Sequence, residues 1–240
     1  MALTLLLSKS KRDHMTEQQL NFEKYADRRK FTDAAHKRWM PAVYNLFNWT
    51  EIVKDDNDYE AFINDVKHGQ DYYVKTPNGK TLSIQERNRT GEKALRFNDV
   101  TIRYSYPKYA KSLQASEWFK IDADILIYTV VGKQPKVLSD LAQYDSYDKI
   151  VVIDMRKFER YVKTNHIQIV DNLHTQTSMF ASNSADKILL SPLRHNVEHR
   201  DDSPSDFIVF DVKHLYELDP SLIGFDKGFG TPKDILLPQK

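Results

Sequence analysis

Residues 70–103, QDYYVKTPNGKTLSIQERNRTGEKALRFNDVTIR, constrain this chain more than any other stretch. Before the Pro77-Asn78-Gly79-Lys80 turn, Val74 stands between Tyr73 and Thr76. After it, Leu82 and Ile84 alternate with Ser83 and Gln85. Period-two runs joined by a Pro/Asn/Gly turn predict a β-hairpin. A hairpin brings its two ends together. Asp71 opens the first strand and Gln85, Glu86 and Arg87 close the second, so an acid, an amide and a guanidinium converge on one patch. Alternation turns Gln85 and Arg87 to one face and Glu86 to the other. Only a β-bulge would bring Glu86 round.

A length of 240 residues suits one large domain, here a helical segment over 1–48 and a mixed α/β body over 49–240, packed as one unit. A hydrophobic content of 40% with 29% charged residues is that of a globular chain able to bury a core. The net charge of +1 argues for no polyanionic partner by itself, so any phosphate binding must rest on local clusters. The absence of cysteine excludes disulfides, thiolate metal sites and cysteine nucleophiles, and fits a cytoplasmic location. The apolar start MALTLLL is short and has no basic n-region or cleavage pattern. Neither a signal peptide, a membrane span nor a membrane partner is expected.

Along 16–47, Leu20, Tyr25, Phe31, Ala34, Ala35, Trp39, Val43 and Phe47 recur at helical spacing. Pro41 should start a second helix or kink the first. Arg28-Arg29-Lys30 and His36-Lys37-Arg38 read as a solvated face, since Glu17, Glu23, Asp27 and Asp33 interleave; a phosphate-contacting arm is the other reading. Within 49–66, a short helix starts at Asp58 as N-cap, with Ala61, Phe62 and Val66 as its apolar face; Glu51 and Glu60 lie on or near it, and it ends at His68-Gly69. Residues 88–98 read as a polar loop. Residues 99–106 read as a strand with Val100, Ile102 and Tyr104 on one face and Arg103 on the other. Residues 116–120 form a short amphipathic segment. The apolar run over 121–131 predicts a strand buried on both faces, with Asp122 and Asp124 at its exposed end. Those two acids are either metal ligands or partners of a nearby Lys or Arg.

IVVIDMRKFERYV, from Ile150, echoes FIVFDVKHLYEL, from Phe207: each is a strand, then an Asp placed to cap a helix (Asp154, Asp211). The stretch 164–206 between them reads as irregular, and the tail around FDKGFG as an extended surface segment. The sum predicts an α/β fold, with α+β the alternative: one mixed central sheet with a hairpin, covered by helices. Seven glycines and no GxGxxG, GxxxxGK[ST] or GxSxG motif exclude the common nucleotide-binding loops and the nucleophile elbow. His195 and His199 lack the Glu of HExxH and read as solvated.

Glu60 on a helix, then Asp71, a hairpin and the triplet Gln85-Glu86-Arg87 after Ile84 form an order that resembles the PD-(D/E)xK nuclease superfamily. IQERNR followed by DVTIRY and SEWFKIDADILIY also resembles a set of small phage and plasmid proteins within it. The resemblance spans residues 58–131. It implies a restriction endonuclease-like core that hydrolyses DNA with Mg²⁺ or Mn²⁺, RNA being the alternative substrate. It assigns catalysis to Asp71, Gln85 and Arg87, metal binding to Asp71, Gln85 and Glu60, and phosphate contacts to Arg89, Arg103 and Lys120. A homodimer would cut both strands. Gln85 lends an oxygen but no charge, and Arg87 stays protonated and is no general base. These departures leave two alternatives open. One is a non-catalytic nucleic-acid-binding or protein-interaction module on the same fold; the other is a structural, accessory phage-type protein.

Overall fold

A computed structural model describes residues 19–22, 24–52, 68–105, 117–171, 180–183, 186–194 and 206–233. The predicted hairpin is present. β2 (Tyr72–Lys75) pairs antiparallel with β3 (Thr81–Thr90), with Tyr72 opposite Ile84 and Lys75 opposite Thr81. Gly79, at φ 83°, makes the turn that a residue with a Cβ would resist. β1 (Thr50–Ile52) extends the sheet beyond β2. On the other side β3 runs parallel to β5 (Ile125–Val131), which pairs antiparallel with β6 (Lys149–Asp154) and through it with β11 (Ile223–Lys227). The six-stranded order is β1-β2-β3-β5-β6-β11.

The fold class is α/β, with two mixed sheets in place of the single one expected. The second has five strands: β4 (Asp99–Ser105), β10 (Asp206–Asp211), β9 (Asp186–Arg194) and β7 (Ile167–Val170) in that order, with β8 (Phe180–Asn183) on β9. Strand alternation explains how the two sheets share a core. Leu126, Tyr128 and Val130 of β5 face Val100, Ile102, Ile208 and Phe210 of the second sheet. Ile127 and Val131, on the opposite side of β5, face the helix α1 (Tyr25–Leu46) through Phe31, Trp39 and Val43. β5 is thus covered on both faces, which its continuous apolar run predicts.

Both strand-to-helix units form. Asp154 accepts the Lys157 N–H at 2.9 Å at the start of α3 (Met155–Lys163), after the four-residue α2 (Glu117–Lys120). Asp211 accepts the His214 N–H at 3.0 Å at the start of α4 (Val212–Leu218). Four other expectations are corrected. Pro41 starts no second helix; it lies inside α1 at an exposed position. Residues 88–90 continue β3, because Asn88 and Arg89 find polar partners in Thr129 and Asp99, and a 3-10 helix follows over Glu92–Arg96. The supposedly irregular stretch 164–206 holds β7, β8 and β9. The tail is no surface segment: β11 closes the sheet and Phe225 and Phe229 are buried. Among the described residues no helix is long and apolar enough to cross a membrane.

The tail is pinned by a buried carboxylate. Asp226 accepts the Phe229 N–H at 2.8 Å and the Thr231 N–H at 2.7 Å. Asp226→Ala should orphan two buried donors and cost about 2–4 kcal/mol. Urea unfolding should show a lower midpoint at unchanged slope, with Asp226→Asn in between. An unchanged midpoint for Asp226→Ala would refute the assignment.

Candidate active site

Where β2 begins, the Asp71 N–H donates to the Ile84 carbonyl at 2.8 Å, which sets the acid beside the middle of β3. Its Oδ2 accepts the Glu86 N–H at 2.7 Å and Gln85 Nε2 at 3.1 Å. Gln85 is buried, and its Oε1 has no hydrogen-bond partner. Gly69, at φ 59°, stands against that oxygen; a Cβ there would lie 2.4 Å from it. Gly69 therefore both turns the chain and makes room for the amide.

Arg87 projects from the same face of β3 and forms an ion pair with Glu117 of α2. Lys120 ends α2 and is half-buried. Arg89 pairs with Asp99 at 2.9 Å, and its guanidinium lies 5.5 Å from the Phe97 ring centre. Arg103 belongs to the second sheet, with its guanidinium 5.7 Å from the Phe207 ring centre. Glu60 lies outside the described residues, as do Asp58, His195 and His199. The structure thus joins Asp71 to Gln85, sets Arg87 and Glu117 on the same side, and places Arg103 on another sheet.

Asp122 and Asp124 share one cation. Arg156 NH1 donates to Asp122 Oδ1 at 2.7 Å, and Arg156 Nε donates to Asp124 Oδ1 at 3.0 Å. Asp124 Oδ2 also accepts the Ser83 N–H and hydroxyl at 2.9 and 3.0 Å. Burial pushes the Asp124 carboxyl up, but the Ser83 and Arg156 donors more than offset this, and it sits below its ordinary value. Of their two sequence readings, the structure takes pairing with a basic residue.

The opposite face of β3 holds what the sequence reading missed. Glu86, whose side chain is 1% exposed, meets His36 Nδ1 at 2.6 Å and accepts the Tyr147 hydroxyl at 3.1 Å. His36 Nε2 is 3.2 Å from Glu51 Oε1, and the imidazole stacks on Tyr72 at 3.7 Å. Both ring nitrogens face carboxyl oxygens, an arrangement that favours the doubly protonated imidazolium. Burial pulls the His36 pKa down, but the hydrogen bond and charge of Glu86, then Glu51, push it above its usual value. Burial, then the Glu86 charge, push the Tyr147 hydroxyl far up, so it stays a neutral donor. His36 is no part of a solvated face. It sits four residues before Met40 and seven before Val43, on the buried side of α1, and that spacing was the available signal.

The His36–Glu86 pair makes stability depend on pH. An imidazole whose folded pKa is raised contributes fully below the unfolded value of about 6.5, and that contribution is lost as pH rises through the folded value. Thermal melts should lose stability as pH rises from about 6.5 through that value, and His36→Gln should remove this step. His36→Gln should also cost about 3–5 kcal/mol, because it leaves the Glu86 charge buried and unpaired. A variant that melts like the parent at every pH would contradict the pairing.

Among the described residues, no three His, Cys, Asp or Glu side chains converge as a metal-binding group. Comparison of the chain with protein-family models, with curated proteins and with solved structures finds no match.

Proposed function

We propose that this chain acts on DNA as a restriction endonuclease-like enzyme, at the sheet end where Asp71, Gln85 and Arg87 gather. One observation carries the reading. Gln85 donates its amide N–H to Asp71 and leaves its own buried Oε1 with no partner. An unsatisfied buried oxygen costs about 1–3 kcal/mol, a cost that a bound cation or donor would offset.

The donor chemistry suits a hard cation. Mg²⁺ keeps several waters and takes one or two protein oxygens beside its substrate's phosphates, so Asp71 and Gln85 would hold it. When bound, such an ion supplies Lewis acidity toward the phosphoryl oxygen and eases deprotonation of water. The chain's own groups do the rest. The Glu86 N–H and the Gln85 amide hold the Asp71 carboxylate in one direction. Arg87 would present its guanidinium to negative charge building on the phosphate. Glu117 engages one terminal nitrogen of Arg87 and aims the guanidinium, whose remaining N–H groups suit phosphate oxygens. A chain without cysteine suits the reducing cytoplasm, and a second copy would be needed to cut both strands together.

A second reading has its own support. The Arg87–Glu117 pair and the neutral Gln85 also fit a surface that binds DNA without cutting it.

Supercoiled plasmid incubated with Mg²⁺ or Mn²⁺ separates them. The parent should nick it only with metal, and Asp71→Ala should abolish nicking. Arg87→Ala should slow it by about 10²–10³-fold, the scale of a lost charge-stabilising donor. Nicked rather than linear product would speak for a monomer. Metal-dependent cleavage that survives Asp71→Ala would sink the site. No cleavage, with salt-sensitive retardation of DNA, would favour the binding reading.

A further inference from the structure

A pocket of about 300 Å³, which Asp71 does not line, lies where the end of α3 meets the turn at 219–221. That volume is at the small end for ligand sites. Lys157 and Arg160, three residues apart on α3, stand on one side of the helix and line it. The chain then turns back through Asn165, at φ 60°, so that Thr164 and His166 close one wall. Asp219 and Ser221 close the other.

The hydrogen bonds orient these walls. The Thr164 hydroxyl donates to the Arg160 carbonyl at 2.9 Å, and that oxygen only accepts. The proton in the 2.8 Å contact between Thr164 Oγ1 and His166 Nδ1 therefore comes from the imidazole, which fixes the ring against the Thr164 wall. The Asp219 charge is spread over three donors: the Ser221 N–H at 2.8 Å, the Ser221 hydroxyl at 2.8 Å and the Tyr161 hydroxyl at 2.9 Å. Burial raises its pKa, but those donors outweigh burial and hold the carboxyl below its ordinary value. Lys157 Nζ donates to the Ser221 carbonyl at 3.2 Å and is 3.6 Å from Asp154. Arg160 makes no side-chain hydrogen bond or ion pair among the described residues.

We propose that this pocket binds a phosphate group. Arg160 presents an unused planar fork and Lys157 a neighbouring ammonium, both donors. A tetrahedral anion with three or four oxygens can meet both, whereas a flat carboxylate would engage the fork alone. The phosphate belongs either to a small phosphate ester or to a polynucleotide backbone. The site stands independently of the reading of Asp71.

Amide NMR of the full chain tests this with two probes: inorganic phosphate, and a ten-nucleotide DNA strand lacking terminal phosphates. Saturable shifts are expected at Tyr161, Thr164, His166 and Ser221. Arg160→Ala should weaken them at least about tenfold, the scale of one charged hydrogen bond, and Arg160→Lys should weaken them less. Lys163→Ala should change nothing; Lys163 pairs with Glu159 at 2.7 Å and does not line the pocket. Shifts with phosphate alone assign a small phosphate ester, and shifts at the same amides with the DNA strand assign a backbone. No saturable shift with either probe overturns the proposal. So does equal weakening by Arg160→Ala and Lys163→Ala, which would mean diffuse charge attraction only. Because Asp71 is untouched, a failure here leaves the plasmid assay standing, and the reverse holds too.

Discussion

A carboxylate taken out of water needs a cation beside it, and Glu86 is the carboxylate on which this structure turns. β3 is an interior strand of its sheet, and it carries Gln85, Glu86 and Arg87 in succession. Alternation forces the acid to one side and the amide and guanidinium to the other. On the acid's side, His36 neutralises Glu86 and Tyr147 fills its second oxygen. That pairing also fixes how α1 lies on the sheet, because His36 must arrive at this one point. A slip of one residue in β3 would bring Glu86 to Asp71 and bury Gln85 and Arg87 against α1. The ion pair with His36 therefore decides which side chains accompany Asp71.

The hairpin, the doubly covered β5 and the capped starts of α3 and α4 were legible in the sequence. Each is governed by local rules: period-two alternation around a Gly turn, an unbroken apolar run, an Asp ahead of a helix. What stayed hidden depends on partners distant in the chain. His36 looked solvated because Lys37 and Arg38 follow it, yet its fate was set by Glu86, fifty residues on. β7 and β9 were missed because polar residues dilute their short apolar stretches, and Ile167 and Leu189 become core only when the two strands meet. The tail looked like surface because its glycines suggest turns. The turns are real, but they fold Phe229 inward over Asp226. The candidate site was half legible: a hairpin places Asp71 near Gln85, but nothing local reveals that Glu117 meets Arg87.

The sheet end that holds Asp71 is also where α3 begins. The Gln70 amide donates to the Asp122 carbonyl at 3.0 Å, and Arg156 binds Asp122 and Asp124 there. Beyond Arg156 the helix continues with Lys157 and Arg160 toward the proposed phosphate pocket. The chain's near-zero net charge conceals this local concentration of cations. Arg87, Arg89 and Arg156 are each committed to an acid. A phosphate contact through Arg87, Arg89 or Arg156 must compete with those pairs.

The central proposal is that the Asp71 carboxylate and the unpartnered Gln85 Oε1 hold a hard cation. The most direct measurement is the melting temperature of Gln85→Glu with and without Mg²⁺. A carboxylate in place of the amide would face Asp71 as a like charge in a partly buried site, so the variant should melt below the parent in metal-free buffer. Mg²⁺ should restore it, with a midpoint that rises as the ion is titrated. If the variant melts at the same temperature with and without Mg²⁺, these two oxygens do not share a cation and the account is wrong.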